Sequence, residues 1–144
     1  MLRRHFVVAL VVPPVLLLAS CGKKPPETGL VQGVVLVKGK PMSRLAVTFM
    51  PEPSDGKEVA TNAFAETDEQ GKYQLKHYFN GKELPGAPVG WNRVLVEDLR
   101  QSHLGQGQAR PPQFISFDYA KPSTTPLRVE IKPGEQTINL EVTR

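Results

Sequence analysis

Covalent chemistry in this chain could begin at one sulfur. Cys21 is the only cysteine among 144 residues, so one chain can form neither a disulfide nor a cysteine metal site. It closes the run Leu18-Ala19-Ser20-Cys21. Small side chains at Ala19 and Ser20 let an extended backbone enter a peptidase cleft, and the thiol is the one side chain soft enough to be alkylated under mild conditions. Acyl transfer by a hydroxyl would need a serine on a sharp turn beside a base, and no Gly-x-Ser-x-Gly run is present. Metal chemistry needs ligands at short spacing, whereas His77 and His103 are far apart in sequence. Asp68-Glu69-Gln70-Gly71 offers two carboxylates. Calcium takes more oxygens than that from one loop, so a plain turn is the better reading. Tyr78, Phe79, Trp91 and Tyr119 lie on or beside loops, where ring faces could contact a ligand such as a sugar. The competing reading is that they seal the ends of a core. No enzymatic activity, metal or cofactor is expected.

Cys21 also divides the chain. Arg3 and Arg4 give a positive start, and Phe6 to Ala19 form an apolar run broken only by Pro13 and Pro14. That is the layout of a cleavable signal peptide over residues 1–20. The run is shorter than the roughly 20 residues a spanning helix needs, and a proline pair would break such a helix. Arg3-Arg4-His5-Phe6 leaves both the general secretory and the twin-arginine routes open. Leu18-Ala19-Ser20-Cys21 resembles the lipobox of bacterial lipoproteins. The resemblance implies that Leu18, Ala19 and Ser20 are read by the lipoprotein peptidase, that cleavage precedes Cys21, and that its sulfur carries a diacylglyceryl group. Two or three acyl chains would hold the product stably to a membrane. In a double-membrane bacterium, Gly22 in place of an aspartate implies the outer membrane. Residues 21–29 then form a polar tether with Pro25-Pro26, which if extended lifts the rest of the chain by roughly 20 to 25 Å. Lys23 and Lys24 can favour anionic headgroups or simply be solvated.

The elements beyond the tether must come from one domain, residues 30–144. Arg3 and Arg4 leave with the leader, so the formal charge of +4 falls by two, too weak a bias to suggest nucleic acid. Fourteen prolines and twelve glycines punctuate short alternating runs, and no helical spacing is present after the leader, so the fold class is all-β. Val31, Gly33, Val35 and Val37 share one face. After Gly39-Lys40-Pro41 come Leu45, Val47 and Phe49, and the two runs are expected to form a hairpin. The third run, Ala60 to Thr67, has too little polarity contrast to orient Phe64. Asp68 and Gly71 then form a structural turn in which Asp68 bonds the backbone two residues on and Gly71 takes positive φ. Tyr73 and Leu75 beyond it face the core.

Thr67-Asp68-x-x-Gly71-x-Tyr73, with Val31-x-Gly33-x-Val35 and Gly39-Lys40-Pro41, resembles the carboxypeptidase regulatory-like domain over roughly residues 30–98. The resemblance implies a seven-stranded Greek-key β-sandwich, transthyretin-like or immunoglobulin-like. Gly90-Trp91-Asn92-Arg93-Val94-Leu95-Val96 fits the family's next strand with its aromatic one place early, a shift that turns Trp91 to the other face within a strand but leaves its face open at a strand start. The same broad sandwich hosts iron dioxygenases with two tyrosines and two histidines. Tyr73, Tyr78, Tyr119, His77 and His103 supply the count without the close His-x-His pair. Hydroxyisourate hydrolases end in Tyr-Arg-Gly-Ser, and this chain ends Glu141-Val142-Thr143-Arg144.

A long connection over residues 98–124 carries Phe114, Ile115, Phe117 and Tyr119, which are expected to pin it to the sandwich. Leu127, Val129 and Ile131, then Ile138, Leu140 and Val142, alternate as a closing hairpin around Pro133-Gly134. The expected role is a lipid-anchored, extracytoplasmic, non-catalytic binding or structural module. Its partners would be the membrane, through Cys21, and an envelope protein or glycan. The alternatives are a carbohydrate-binding module and a small metal-dependent enzyme on the same fold. Any contact surface is expected in the loops 77–90 and 98–124.

Overall fold

A computed structural model describes residues 24–53, 60–102, 107–109 and 111–144, and the chain they form is mostly β. In β1 (Thr28–Val37), Val31, Val35 and Val37 are buried between outward-facing neighbours, as period-two alternation requires. β1 starts at Thr28, so the last two residues of the expected tether belong to the sheet. There follow β2 (Lys40–Pro41), β3 (Leu45–Pro51), β4 (Ala63–Glu66), β5 (Lys72–Gln74), β6 (Lys76–Phe79), β7 (Lys82–Pro85), β8 (Ala87–Pro88) and β9 (Gly90–Asp98). A helical turn, α1 (Leu99–Ser102), and a 3-10 turn (Phe117–Ala120) precede β10 (Arg128–Ile131), β11 (Gly134–Thr137) and β12 (Leu140–Val142). Among the described residues no helix is long and apolar enough to cross a membrane.

The strands make two sheets. In the first, β11 and β12 run parallel along one edge of β1, while β2, β5 and β8 pair with it antiparallel. The second is antiparallel throughout, in the order β10-β9-β3-β4-β6-β7. Val31, Val35, Tyr73 and Leu140 from the first belong to one buried cluster with Leu45, Val47, Phe49, Val94 and Val96 from the second. Burying these side chains supplies the stabilisation that a disulfide-free chain must draw from its core.

Both expected hairpins are corrected. The chain turns at Lys38 and Gly39, with φ of 51° and 74°, but β1 pairs there only with the two residues of β2. β3 crosses to the other sheet, between β9 and β4. Likewise β10 pairs with β9, and the chain then crosses over to lay β11 and β12 beside β1. The Gln136 side chain fixes that crossing by accepting from Lys132 N–H at 3.2 Å and donating to Lys132 O at 2.7 Å. Alternation marks the inward face of a strand but is silent on which of two facing sheets it joins. Among the described residues twelve strand segments stand where seven strands are expected, partly because one run changes sheet: β5 pairs with β1, β6 pairs with β4, and Leu75 is the pivot between them.

The C-terminal strand is bulged. Ile138 N–H donates to Gln32 O at 2.8 Å, and Val34 N–H donates to Asn139 Oδ1 at 3.1 Å, so the strand steps outward and resumes at Leu140. The Ile138 carbonyl then lies over Gly33, and a Cβ built there would collide with that oxygen. Tyr73 donates its hydroxyl to the same oxygen at 2.7 Å. Burial pushes the Tyr73 hydroxyl far above its ordinary range, which keeps it protonated as a donor. The Asp68 turn forms as expected. Asp68 Oδ1 accepts from Gln70 N–H and Lys72 N–H at 2.9 and 2.8 Å, and Gly71 takes φ of 72°.

Gly33→Ala is expected to lower unfolding stability by about 3 kcal/mol or more, because neither backbone can give way. Tyr73→Phe should cost about 1 kcal/mol, the worth of one hydrogen bond. Urea unfolding of both variants checks this, and a Gly33→Ala protein as stable as the parent would contradict the close approach.

Candidate functional site

The alternation that turns Val47, Phe49, Val94 and Val96 inward leaves the other faces of the same strands on the outside of the second sheet. Met50, Phe64, Tyr78, Trp91 and Leu95 all fall on that outer face. Tyr78 is 50% exposed and Trp91 45%. Each is held by charged neighbours.

Around Trp91, the Arg128 guanidinium lies 4.1 Å from the ring centroid. Arg128 is itself gripped by Glu52, with Nε to Oε1 at 3.0 Å and Nη2 to Oε2 at 2.8 Å. Arg93 Nε adds a 3.4 Å contact to Glu52 Oε1. The hydrogen bond from Arg128 holds the Glu52 carboxyl below its usual range, aided by the Arg128 and Arg93 charges. The reciprocal bond raises Arg128. Around Tyr78, the Phe64 ring stacks at 5.4 Å with 24° between planes, and Lys76 Nζ lies 5.6 Å from the Phe64 centroid. Glu83 accepts from Lys76 Nζ at 3.0 Å and from the Tyr78 hydroxyl at 3.1 Å, and its pKa is lowered mainly by the Lys76 bond. A groove of about 800 Å³ adjoins this second cluster, lined by Thr48, Phe64, Glu66, Gln74 and Lys76 among others.

The ladder register places both clusters near the end where the chain enters β1. Val89 N–H donates to Glu27 O at 2.9 Å, and Thr28 pairs with Pro88, two residues before β9 begins. Trp91 and Glu52 are neighbours at that end, since Glu52 N–H donates to Trp91 O at 2.8 Å. Met50 pairs with Arg93 one step further along. Tyr78 lies in that same row, because Phe49 opposes Ala63 and Ala63 opposes His77.

Of the aromatic residues singled out in the sequence, Trp91 and Tyr78 therefore share one exposed face. Phe79 is half-buried and alternates to the other side of β6. Tyr119 is corrected: it is buried in the core cluster, with its hydroxyl 3.3 Å from Thr143 Oγ1, where it pins the long connection beside β12. Ile115 is buried too, while Phe114 and Phe117 remain exposed. His77, expected at the start of a contact loop, is buried, with Nδ1 3.1 Å from Gly86 O. Leu18, Ala19, Ser20 and Cys21 lie outside the described residues, as does His103. Sequence reasoning missed Glu52, Arg128, Lys76 and Glu83. Glu52 reads as a loop residue, and its partner Arg128 is 76 positions away, joined to it only by the strand order.

Among the described residues no group of three or more His, Cys, Asp or Glu side chains gathers as a metal site. Fold and surface together define an all-β domain of two packed sheets, one of which carries an exposed aromatic face braced by ion pairs. Compared with known proteins, the chain matches no family, no curated protein and no solved structure.

A carboxylate with a lowered folded pKa adds stability above its unfolded value of about 4.3, and that contribution is lost as pH falls through the folded value. The Glu52 carboxyl should thus titrate below about 4.3 by carbon NMR and move up toward that value in Arg128→Gln. An unchanged midpoint in the variant would contradict the bidentate grip.

Proposed function

We propose that this chain is a lipid-anchored, extracytoplasmic β-sandwich serving as a non-catalytic binding or structural module of the cell envelope. The observation that carries the reading is the order of parts: a signal-like leader, the lipobox-like Leu18-Ala19-Ser20-Cys21, and a polar tether that leads into β1 at Thr28. A domain with its own closed core, exposed ring faces and ion pairs that fix them suits contact better than turnover. Contact with an envelope component needs a rigid surface, and the second, wholly antiparallel sheet provides one.

The strand count supports a particular kind of sandwich. Joining β5 to β6 across Leu75, and β11 to β12 across the bulge, gives seven principal strands with β1, β3, β4, β9 and β10. β2, β7 and β8 are then short additions at turns. That arrangement favours a transthyretin-like sandwich of the carboxypeptidase regulatory-like kind.

The test is metabolic labelling with a fatty acid in a bacterium producing the full chain. Label on the parent and its loss in Cys21→Ala, with the precursor left uncleaved, are expected. A membrane-held Cys21→Ala product of mature size would refute the anchor.

A further inference from the structure

We infer that the tether-side rim of the second sheet's outer face, centred on Trp91 and Tyr78, rests on the phospholipid surface to which the chain is anchored. The inference rests on the proposed lipid anchor at Cys21.

The reach of the tether limits how far this rim can stand from the bilayer. Six residues lie between Cys21 and Thr28, and the seven steps from one Cα to the other span at most about 25 Å. β1 alone, at ten residues, runs about 33 Å. The end of the sandwich where β1 starts must therefore stay within that reach of the headgroups, a limit that the far end does not share. Trp91 and Tyr78 sit in the two rows of the outer face nearest that start, as the Glu52 to Trp91 bond and the Met50, Arg93 and Tyr78 row establish.

The side chains on the rim suit an interface of this kind. Indole and phenol rings are apolar bodies with one polar handle, and they settle at the boundary between headgroups and acyl chains. Arg128 and Arg93 stand beside Trp91, and Lys76 beside Tyr78, where their side chains can lie along the surface with the charged ends toward phosphate. Glu52 uses only part of the Arg128 fork, through Nε and Nη2, and the remaining N–H groups on this half-exposed side chain can donate to phosphate oxygens. Arg128 and Arg93 share Glu52 and Lys76 pairs with Glu83, so the three cations leave only one net positive charge; aromatic insertion rather than net charge drives the contact, and zwitterionic lipid suffices.

Trp91 is the only tryptophan in the chain, so its emission reports on this rim alone. Phe117, exposed on the connection that bonds Thr143 beyond β12, supplies a control at the far end. The acylated full chain, isolated from membranes, is placed in vesicles of phosphatidylcholine with and without bromine on the acyl chains. Trp91 emission should fall by about half or more with brominated lipid, because interfacial rings lie within the outer acyl region. A chain carrying Trp91→Phe with Phe117→Trp should be unaffected. Equal quenching at both positions, or none at Trp91, overturns the inference. So does loss of Trp91 quenching on adding soluble cell-wall oligosaccharides, which would assign the face to a glycan. Mass spectrometry of Cys21 is read separately. An acylated chain with unquenched Trp91 refutes the rim contact and leaves the anchor standing, whereas a chain without acyl groups refutes both.

Discussion

The Ile138 carbonyl lying over Gly33 is the contact on which the arrangement of the two sheets depends. β1 pairs on one edge with β2, β5 and β8 and on the other with β11 and β12, and these parallel partners reach it after the chain crosses from the other sheet. A parallel pair cannot be made by a tight turn, so the C-terminal strand must be held in register by side chains and by its own bulge. Gly33 leaves the space for that bulge, and the Tyr73 hydroxyl satisfies the oxygen the bulge exposes. Tyr73 belongs to β5, on the opposite edge of β1, so one hydrogen bond reaches across the strand and ties its two neighbours together.

A second constraint acts where the chain crosses between sheets at residues 86–90. His77 Nδ1 lies 3.1 Å from Gly86 O, and Asn92 Nδ2 donates to Gly90 O at 2.9 Å and Pro88 O at 3.3 Å. A carbonyl only accepts, so Nδ1 carries the imidazole proton. His77 Nε2 and Asn92 Oδ1 are buried without a partner among the described residues, at a cost of about 1 to 3 kcal/mol each. That cost is offset by fixing the crossing itself: Gly86 N–H reaches Leu75 O, and Val89 N–H reaches Glu27 O. The start of β1, and with it the path of the chain at Glu27 and Thr28, is set by the same segment.

Much of the core was legible because it follows from alternation alone. Val31, Val35, Val37, Leu45, Val47, Phe49, Tyr73 and Leu75 are buried as their spacing predicts, and Asp68-x-x-Gly71 closes the turn its residue types require. Sheet membership was not legible, since a valine facing inward from either sheet carries the same pattern. The aromatic face fell between these cases. The face of Trp91 stayed open, since its place one residue early decides the side only within a strand and not at its start, and the Glu52 and Arg128 that hold it come from just past β3 and from β10, strands whose adjacency to β9 exists only once the sheet has formed. His77 misleads for a related reason: polar residues suggest a surface, and only the backbone carbonyl of Gly86 explains one inside.

The ion pairs on the outer face add little to stability, because exposed pairs at these distances are screened by water. Their effect lies in the rings they hold. An exposed indole with no polar partner gains by lying down on apolar surface to leave water. With Arg128 stacked on one side and Glu52 gripping that guanidinium, the indole remains nearly half exposed at a defined place. Glu83 does the same for Tyr78 through its hydroxyl. Two rings are thus kept partly in water at set places, and both stand at the end of the paired sheets where the chain enters β1.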